Sequence, residues 1–178
     1  ENPHQKAALY GKFNDYYEQL QGKELSYNNI LDLTAATALA REFANEDPTI
    51  VIVKHTNACG VGQAETLVQA WDKAFATDQQ APFGGIVASN TPMDVDIATA
   101  IAEIFTEVIV APDFSPEALA ILGAKKNLRL MKIKKDPFAG TELSVRSVGA
   151  ESFLVQESDV AKDDERQWKV VTKRQPTE

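Results

Sequence analysis

His55 is the residue of this sequence best suited to chemistry at neutral pH. The chain holds two histidines, His4 and His55, and both lie in polar, turn-like stretches instead of an apolar stripe. An imidazole titrates near neutrality, so a positioned histidine can accept or donate a proton under working conditions. Both histidines are therefore candidates for a catalytic or ligand-binding site.

Lys54 precedes His55 directly and ends a run of β-branched residues over positions 49–54. Such a run is typical of a buried parallel strand, and open α/β sheets bind ligands at the carboxyl ends of their strands. Adjacent side chains of a regular strand diverge, so both residues can face one ligand only if the backbone turns between them. We expect this strand to be central in its sheet, with Gly84 approaching the same cleft.

The stretch after Lys54, residues 55–63, is predicted to be a loop that leads into a helix. Gly60 and Gly62 could let backbone amides approach an anion near Glu65, although such loops are common and no Walker or dinucleotide motif is present. Cys59 is the only cysteine, which excludes an internal disulfide and a zinc site built on several thiolates. Because no activating group is evident beside it, Cys59 is predicted to be a buried, inert thiol.

Strands and helices alternate through the middle of the chain, which predicts an α/β fold with a mainly parallel sheet. Asp32 is placed to cap a helix over residues 33–43, and Ser115, Pro116 and Glu117 have the order of an N-cap, a first-turn proline and a first-turn acid. Other strands are predicted at residues 84–88, 108–110, 143–148 and 152–155, and other helices over residues 67–75 and 97–105.

The basic run at residues 125–135 alternates like a strand whose charged residues protect an exposed sheet edge. The net charge of -8 argues against a general nucleic-acid binder. No stretch approaches the roughly 18 apolar residues of a membrane span, and the first residues lack the form of a signal peptide. We expect one domain over residues 1–178, in the reducing cytoplasm, with neither nucleic acid nor membrane as a partner.

Five strings carry a more specific signal than these patterns. They are NPHQ at residues 2–5, LSYNN at 25–29, VKHTNACGV at 53–61, APFGGI at 81–86 and VVTKRQPT at 170–177. In this order they closely resemble the transformylase region of bacterial bifunctional purine enzymes, which combine AICAR transformylase with IMP cyclohydrolase. The strings are spread over essentially the whole chain, so the resemblance is specific.

The resemblance implies a fold similar to cytidine deaminases: a three-layer α/β/α arrangement with a central mixed, mainly parallel sheet. The chain resembles the first of two such copies in the family. The family transfers a formyl group from the co-substrate 10-formyltetrahydrofolate to the 5-amino group of AICAR, without a metal, and its members work as homodimers. The zinc signatures of deaminases are missing from this sequence. Because the second copy is absent, we expect the chain to be inactive alone.

The same resemblance implies the roles of individual residues. His55 matches the family's proton-accepting histidine, and Lys54 matches its lysine that stabilises the transition state. The other candidates are substrate-binding residues: Asn2, His4, Asn57, Gly84 and Glu107. A carboxylate cannot bind phosphate favourably, so Glu107 is assigned to ribose hydroxyls or polar base atoms.

The sequence leaves two other functions open. A catalytically silent nucleotide-binding module would bind the nucleotide without proton chemistry at His55. A metal-dependent hydrolase would instead use His4, His55 and carboxylates as metal ligands.

Overall fold

The computed structural model describes residues 4–139, 143–159 and 169–177. Contacts divide the chain into two units, Glu1–Pro137 and Phe138–Glu178, and each is described by itself. Whether the chain is one domain over residues 1–178 stays a prediction. None of the described helices reaches the length and apolar character that a bilayer crossing requires.

The first unit is built on a six-stranded sheet in the order β1-β6-β5-β4-β2-β3. Its strands are β1 (Tyr17–Gln21), β2 (Thr49–Lys54), β3 (Asn57–Gln63), β4 (Gly85–Ser89), β5 (Thr106–Ala111) and β6 (Arg129–Ile133). Its helices are α1 (Phe13–Tyr16), α2 (Tyr27–Arg41), α3 (Leu67–Thr77), α4 (Val95–Ala102) and α5 (Pro116–Gly123).

The sheet is mixed in direction. Strands β4, β5 and β6 are mutually parallel, whereas β2 is antiparallel to both β3 and β4, and β1 is antiparallel to β6. Four of the six strands (β3, β4, β5 and β6) therefore point the same way. This confirms the expected mixed sheet, in which most strands point the same way. Strand β2 was expected to be parallel to its neighbours, but it is antiparallel to both.

Two apolar layers enclose this sheet. On one face, side chains of α2 such as Leu33 and Ala36 pack on Val51, Val53 and Val108. On the opposite face, α3, α4 and α5 cover the other side of the same strands, as residues alternate between the faces. The α/β fold and its three-layer α/β/α arrangement are thus confirmed.

Helix caps account for where most helices begin. Ser115 accepts the amide of Ala118, which confirms the predicted start of α5. Asp32, however, does not cap a helix: α2 starts six residues earlier, with a capping box between Ser26 and Asn29. The reciprocal bonds of Ser26 and Asn29 satisfy free amides at the start of the helix, so the helix begins there. Asp32 therefore lies inside α2 and not at its end.

The basic segment is not a sheet edge. Strand β6 lies between β1 and β5, and Arg129 is buried. Two of its lysines are half-buried and paired: Lys125 donates to the carbonyl of Ile104 at 2.8 Å, and Lys132 pairs with Asp113. Lys126, Lys134 and Lys135 are exposed. The predicted sheet edge is therefore wrong, because β1, which the sequence pattern did not predict, covers it.

The second unit contains an antiparallel hairpin of β7 (Leu143–Gly149) and β8 (Ser152–Glu157). Both strands were predicted from the sequence. Val145 lies opposite Val155, and the side chains of both strands are exposed.

Candidate functional site

Lys54 and His55 lie at a tight hairpin turn between β2 and β3. Lys54 pairs with Asn57 across the two strands, which leaves His55 and Thr56 as the two turn residues. Both have left-handed backbone conformations, with φ of 53° and 63°. Two positive φ values in a two-residue hairpin are the signature of a type I′ turn. The backbone therefore does turn after Lys54, as the pair requires.

The residue types of this turn are unusual for its geometry. Type I′ turns favour asparagine, aspartate and glycine, whereas His55 and Thr56 both carry a Cβ and threonine is β-branched. A residue held in such a conformation costs about 1–3 kcal/mol and persists only where its surroundings impose it. Strain of this kind is concentrated at functional sites. Ala150 and Glu151 of the second unit have the same conformation, with φ of 49° and 55°, so it is the strain together with the adjacent Lys54 that marks residues 55–56 as a candidate site.

Three hydrogen bonds hold the turn. The amide of Thr56 donates to Oδ1 of Asp32 at 2.8 Å. The carbonyl of His55 accepts from Nδ2 of Asn57 at 2.9 Å and from the hydroxyl of Thr56 at 2.7 Å. The peptide group that joins His55 to Thr56 is thus bonded on both sides.

Lys54 connects the turn to the next strand in the sheet. Its Nζ donates to the carbonyl of Phe83 at 2.5 Å, and Gly84 follows with a φ of 70° and an amide bonded to the carbonyl of Phe105 at 2.8 Å. Phe83 and Phe105 are in contact, with ring centroids 5.2 Å apart. Lys54 and Gly84 therefore lie at the same end of the sheet, and β2 is an interior strand, as expected.

Glu107 lies at this end of the sheet as well. The register of β4 and β5 shifts between Gly85 and Ile86, so that Glu107 is the extra residue of a β-bulge. Bulges re-aim side chains and occur often beside active sites. Its Oε2 accepts from Nη1 of Arg129 at 2.7 Å, and the Arg129 side chain is only 11% exposed. The charge of Glu107 is thus largely compensated.

The position of the site differs from the rule used to predict it. Lys54 ends β2, but Gly85, Thr106 and Arg129 begin β4, β5 and β6. The candidate site therefore lies at the amino ends of the parallel strands, not at their carboxyl ends. Lys54 and His55 do lie at the end of β2, as predicted, but the ligand-site rule does not apply to that end because β2 runs opposite to β4.

The predicted anion loop after His55 is wrong. Residues 57–63 form strand β3, and its glycines allow close contact with α3: a Cβ on Gly60 would lie 2.2 Å from the carbonyl oxygen of Ala74. Cys59 is the extra residue of a second bulge. Partial burial raises the pKa of the Cys59 thiol, which agrees with its predicted inertness.

Not all of the remaining predicted site residues are placed beside Lys54 and His55. Asn57 is at the turn, but its amide group bonds the His55 carbonyl. His4 is exposed, and no hydrogen bond joins it to Lys54 or His55 in the part of the chain that the structure describes. Asn2 lies outside the described residues. The described ranges also contain no group of three or more histidine, cysteine, aspartate or glutamate side chains that could hold a metal ion.

Two residues of the site were missed by the sequence analysis. Asp32 supports the turn, and Arg129 holds Glu107. Asp32 is 24 residues from its partner along the chain and Arg129 is 22 from Glu107, so no local pattern signals either contact.

Known proteins resemble this chain over its whole length. The family described as AICARFT/IMPCHase bienzyme matches residues 1–178. The bifunctional purine biosynthesis protein PurH of Chloroflexus aurantiacus is 54% identical over 179 residues, which are 100% of this chain and 35% of that protein. The PurH protein of Chlorobium chlorochromatii is 54% identical over 190 residues, with the same shares. The chain thus spans about a third of the length of these relatives.

Solved structures give weaker similarities. A dCMP deaminase from the cyanophage S-TIM5 in apo form aligns with a TM-score of 0.45 at 12% identity, over 59% of this chain and 98% of that chain. RibD of Acinetobacter baumannii aligns with a TM-score of 0.41 at 18% identity, over 56% of this chain and 33% of that chain. Neither similarity bears on the chemistry of the site.

Proposed function

Because this chain belongs to the AICARFT/IMPCHase bienzyme family, we propose that a full-length protein containing it acts in purine biosynthesis. The reaction is transfer of the formyl group of 10-formyltetrahydrofolate to the 5-amino group of AICAR. A C–N bond forms between that amine and the formyl carbon, and the bond from the formyl carbon to the folate nitrogen breaks. The amine loses a proton, and the departing folate nitrogen gains one.

His55 is the group that we assign to proton removal. The amine of AICAR is a poor nucleophile because its lone pair is delocalised into a ring that carries a carboxamide, so its proton must leave as attack proceeds. The exposed His55 side chain lies on a hairpin turn whose peptide is bonded on both sides. An imidazole presented in this way can accept the proton directly or through the carboxamide.

Lys54 is assigned to the charge that develops during attack. Addition to the formyl carbon creates an oxyanion, which a nearby cation stabilises. The half-buried Lys54 is held by the Phe83 carbonyl, so its ammonium group needs little reorganisation at the moment of reaction. The same group can supply the proton that the leaving folate nitrogen requires.

The nucleotide contacts are assigned to the residues around this pair. Gly84 adopts a φ of 70° at the same end of the sheet as Lys54, and we assign its backbone to the nucleotide. Arg129 holds one carboxylate oxygen of Glu107, and ribose hydroxyls can donate to its remaining lone pairs. The other residues that we assign to substrate binding are Asn2, His4 and Asn57. Asn57 would bind substrate while its Nδ2 remains bonded to the carbonyl of His55. No metal takes part in the proposed transfer.

The observation that carries the proposal is the tight turn at residues 55–56 directly after Lys54, which presents an imidazole beside an ammonium group at one end of the sheet. The proposal extends to a homodimeric full-length protein in the cytoplasm, acting on small molecules, and to inactivity of the 178-residue chain alone.

Replacement of His55 in a full-length protein that carries these residues tests the proposal. A positioned general base contributes about 10²–10⁴-fold, so His55→Ala should slow single-turnover formyl transfer by at least that order while AICAR still binds. Near-normal transfer by His55→Ala would contradict the assignment of proton removal to His55. AICAR binding without any transfer by the unmodified protein would instead favour the catalytically silent nucleotide-binding module.

A further inference from the structure

We propose that Asp32 is a positioning residue for His55, which it orients through the backbone of the hairpin turn. This inference rests on the proposed function, because it concerns the residue assigned to proton removal. Asp32 has no assigned role in the reaction, and its carboxylate reaches the turn from a different layer of the fold.

The contact is specific in direction and in chemistry. Oδ1 of Asp32 accepts the amide of Thr56 at 2.8 Å. A carboxylate that accepts from a backbone amide makes a charge-assisted bond, which is stronger than a bond between neutral groups. The amide of Thr56 belongs to the peptide that follows His55, so the bond fixes the plane of that peptide.

The opposite side of the same peptide is also held. The carbonyl of His55 accepts from Nδ2 of Asn57 at 2.9 Å. Rotation of the peptide out of the left-handed arrangement would break the bonds to Asp32 and Asn57 together. Since the peptide and the His55 side chain share one Cα, its orientation sets the direction in which the imidazole leaves the backbone.

The support for Asp32 is rigid. Asp32 lies within α2, and its neighbour Leu33 is completely buried against the sheet, as is Ala36 one turn later. A carboxylate on a packed helix is better defined in space than one on a loop. The helix therefore gives the turn a fixed reference point within the core of the fold.

The turn depends on the acceptor that Asp32 provides. Neither His55 nor Thr56 adopts a positive φ readily. Without the bond from Asp32, the turn can relax toward conformations that direct the imidazole elsewhere. A displacement of 1 Å in a catalytic group can lower a rate by about 10²-fold.

The test compares three variants of a full-length protein that carries these residues. Asp32→Ala removes the acceptor, whereas Asp32→Asn keeps an oxygen at the same position. Asp72→Ala is the matched control, because Asp72 is an exposed aspartate within α3 and lies outside the site. Single-turnover formyl transfer and AICAR affinity are measured for each variant.

We expect Asp32→Ala to slow transfer by roughly 10- to 100-fold while AICAR affinity changes less than about 3-fold. Asp32→Asn should retain most of the activity, and Asp72→Ala should match the unmodified protein. Equal losses in the alanine and asparagine variants would overturn the inference, since the carboxylate charge would then matter and not the bond. Normal transfer by Asp32→Ala would also overturn it.

Amide hydrogen exchange in the 178-residue chain separates this inference from the proposed function. Asp32→Ala should accelerate exchange of the Thr56 amide by at least about 10-fold, with core strand amides such as Val51 unchanged. If the full-length protein transfers no formyl group, the proposed function fails, but the exchange result still decides whether Asp32 holds the turn. Unchanged protection of Thr56 would overturn the inference.

Discussion

The guanidinium of Arg129 joins the bulged residue Glu107 to the segment before α2. Nη1 of Arg129 donates to Oε2 of Glu107 at 2.7 Å, and Nη2 donates to the carbonyl of Glu24 at 3.0 Å. One largely buried cation thus connects β5, β6 and the chain that leads to Ser26, the cap of α2. Its loss should affect both the stability of the fold and the position of Glu107.

Arg129→Met should lower the free energy of unfolding by about 2–3 kcal/mol. The methionine fills a similar volume, but the Glu24 carbonyl and the Glu107 carboxylate lose charged donors, and such bonds are each worth about 1.5–3 kcal/mol. Urea denaturation monitored by circular dichroism measures the change. The partial exposure of Glu107 moderates the cost, because water can replace one of the lost partners.

Glu107→Gln is the matched control for Arg129→Met. The glutamine keeps an oxygen that can accept from Arg129, so we expect a loss of less than about 1.5 kcal/mol. A loss as large as that of Arg129→Met would contradict the view that the guanidinium, and not the carboxylate charge, stabilises this region.

Local patterns were sufficient for much of the fold. The β-branched run at Thr49–Lys54 matches β2 at both ends, and Ser115 caps α5 as its sequence predicts. The burial of β2 and the cap of α5 both depend on residues that are close together in the chain, so a local pattern is enough to predict them. The mixed sheet followed from the alternation of elements and from the family resemblance together.

Strand direction and strand partners could not be read in the same way. An apolar run reports that β2 is buried but not that it is antiparallel to β4, because direction depends on residues 35 positions away, such as Val87 opposite Ile52. Strand β3 was missed because Gly60 and Gly62 are poor strand formers. Contact with α3 overrides their propensity, since only glycine fits against that helix.

Gly60→Ala should therefore destabilise the fold strongly. A Cβ at Gly60 would lie 2.2 Å from the carbonyl oxygen of Ala74, a contact that neither the strand nor the helix can relieve without moving backbone. Overpacking of this kind costs typically about 1–3 kcal/mol, and here we expect at least the upper value. Thermal and urea unfolding of the 178-residue chain measure the effect.

Gly123→Ala provides the comparison for Gly60→Ala. Gly123 ends α5, and a Cβ there would meet only the side-chain oxygen of Gln21, at an ordinary contact distance of 3.4 Å. Alanine favours helix over glycine by up to about 1 kcal/mol, so this variant should be neutral or slightly more stable. Similar destabilisation by both substitutions would show that the packing of β3 on α3 is not the cause.

Cys59 should react slowly with alkylating reagents near neutral pH. Burial raises the pKa of its thiol, with a smaller opposing contribution from a backbone hydrogen bond. A raised pKa means a smaller fraction of reactive thiolate at any pH below it, so the rate should keep rising at pH values where an ordinary thiol is already ionised. Iodoacetamide labelling of the folded chain, with unfolded chain as the reference, measures this. Equal rates in the two states at pH 7.5 would contradict it.

Lys54→Arg tests what the lysine contributes in the full-length protein. Arginine keeps the positive charge, but its planar guanidinium has a different shape and cannot give up a proton at working pH. Nζ of Lys54 donates to the Phe83 carbonyl, and a planar guanidinium would place its donors at different positions. We therefore expect Lys54→Arg to lose formyl transfer almost as far as Lys54→Ala, by about 10²–10⁴-fold, at unchanged AICAR affinity.

Single-turnover transfer with saturating AICAR and folate distinguishes this loss from a binding defect. If the charge alone stabilised the oxyanion, Lys54→Arg would retain substantial activity while Lys54→Ala would not. That result would remove proton delivery to the folate nitrogen from the role of Lys54. The leaving nitrogen would then need another donor, and His55, protonated after it has taken the amine proton, is the neighbouring group able to supply it.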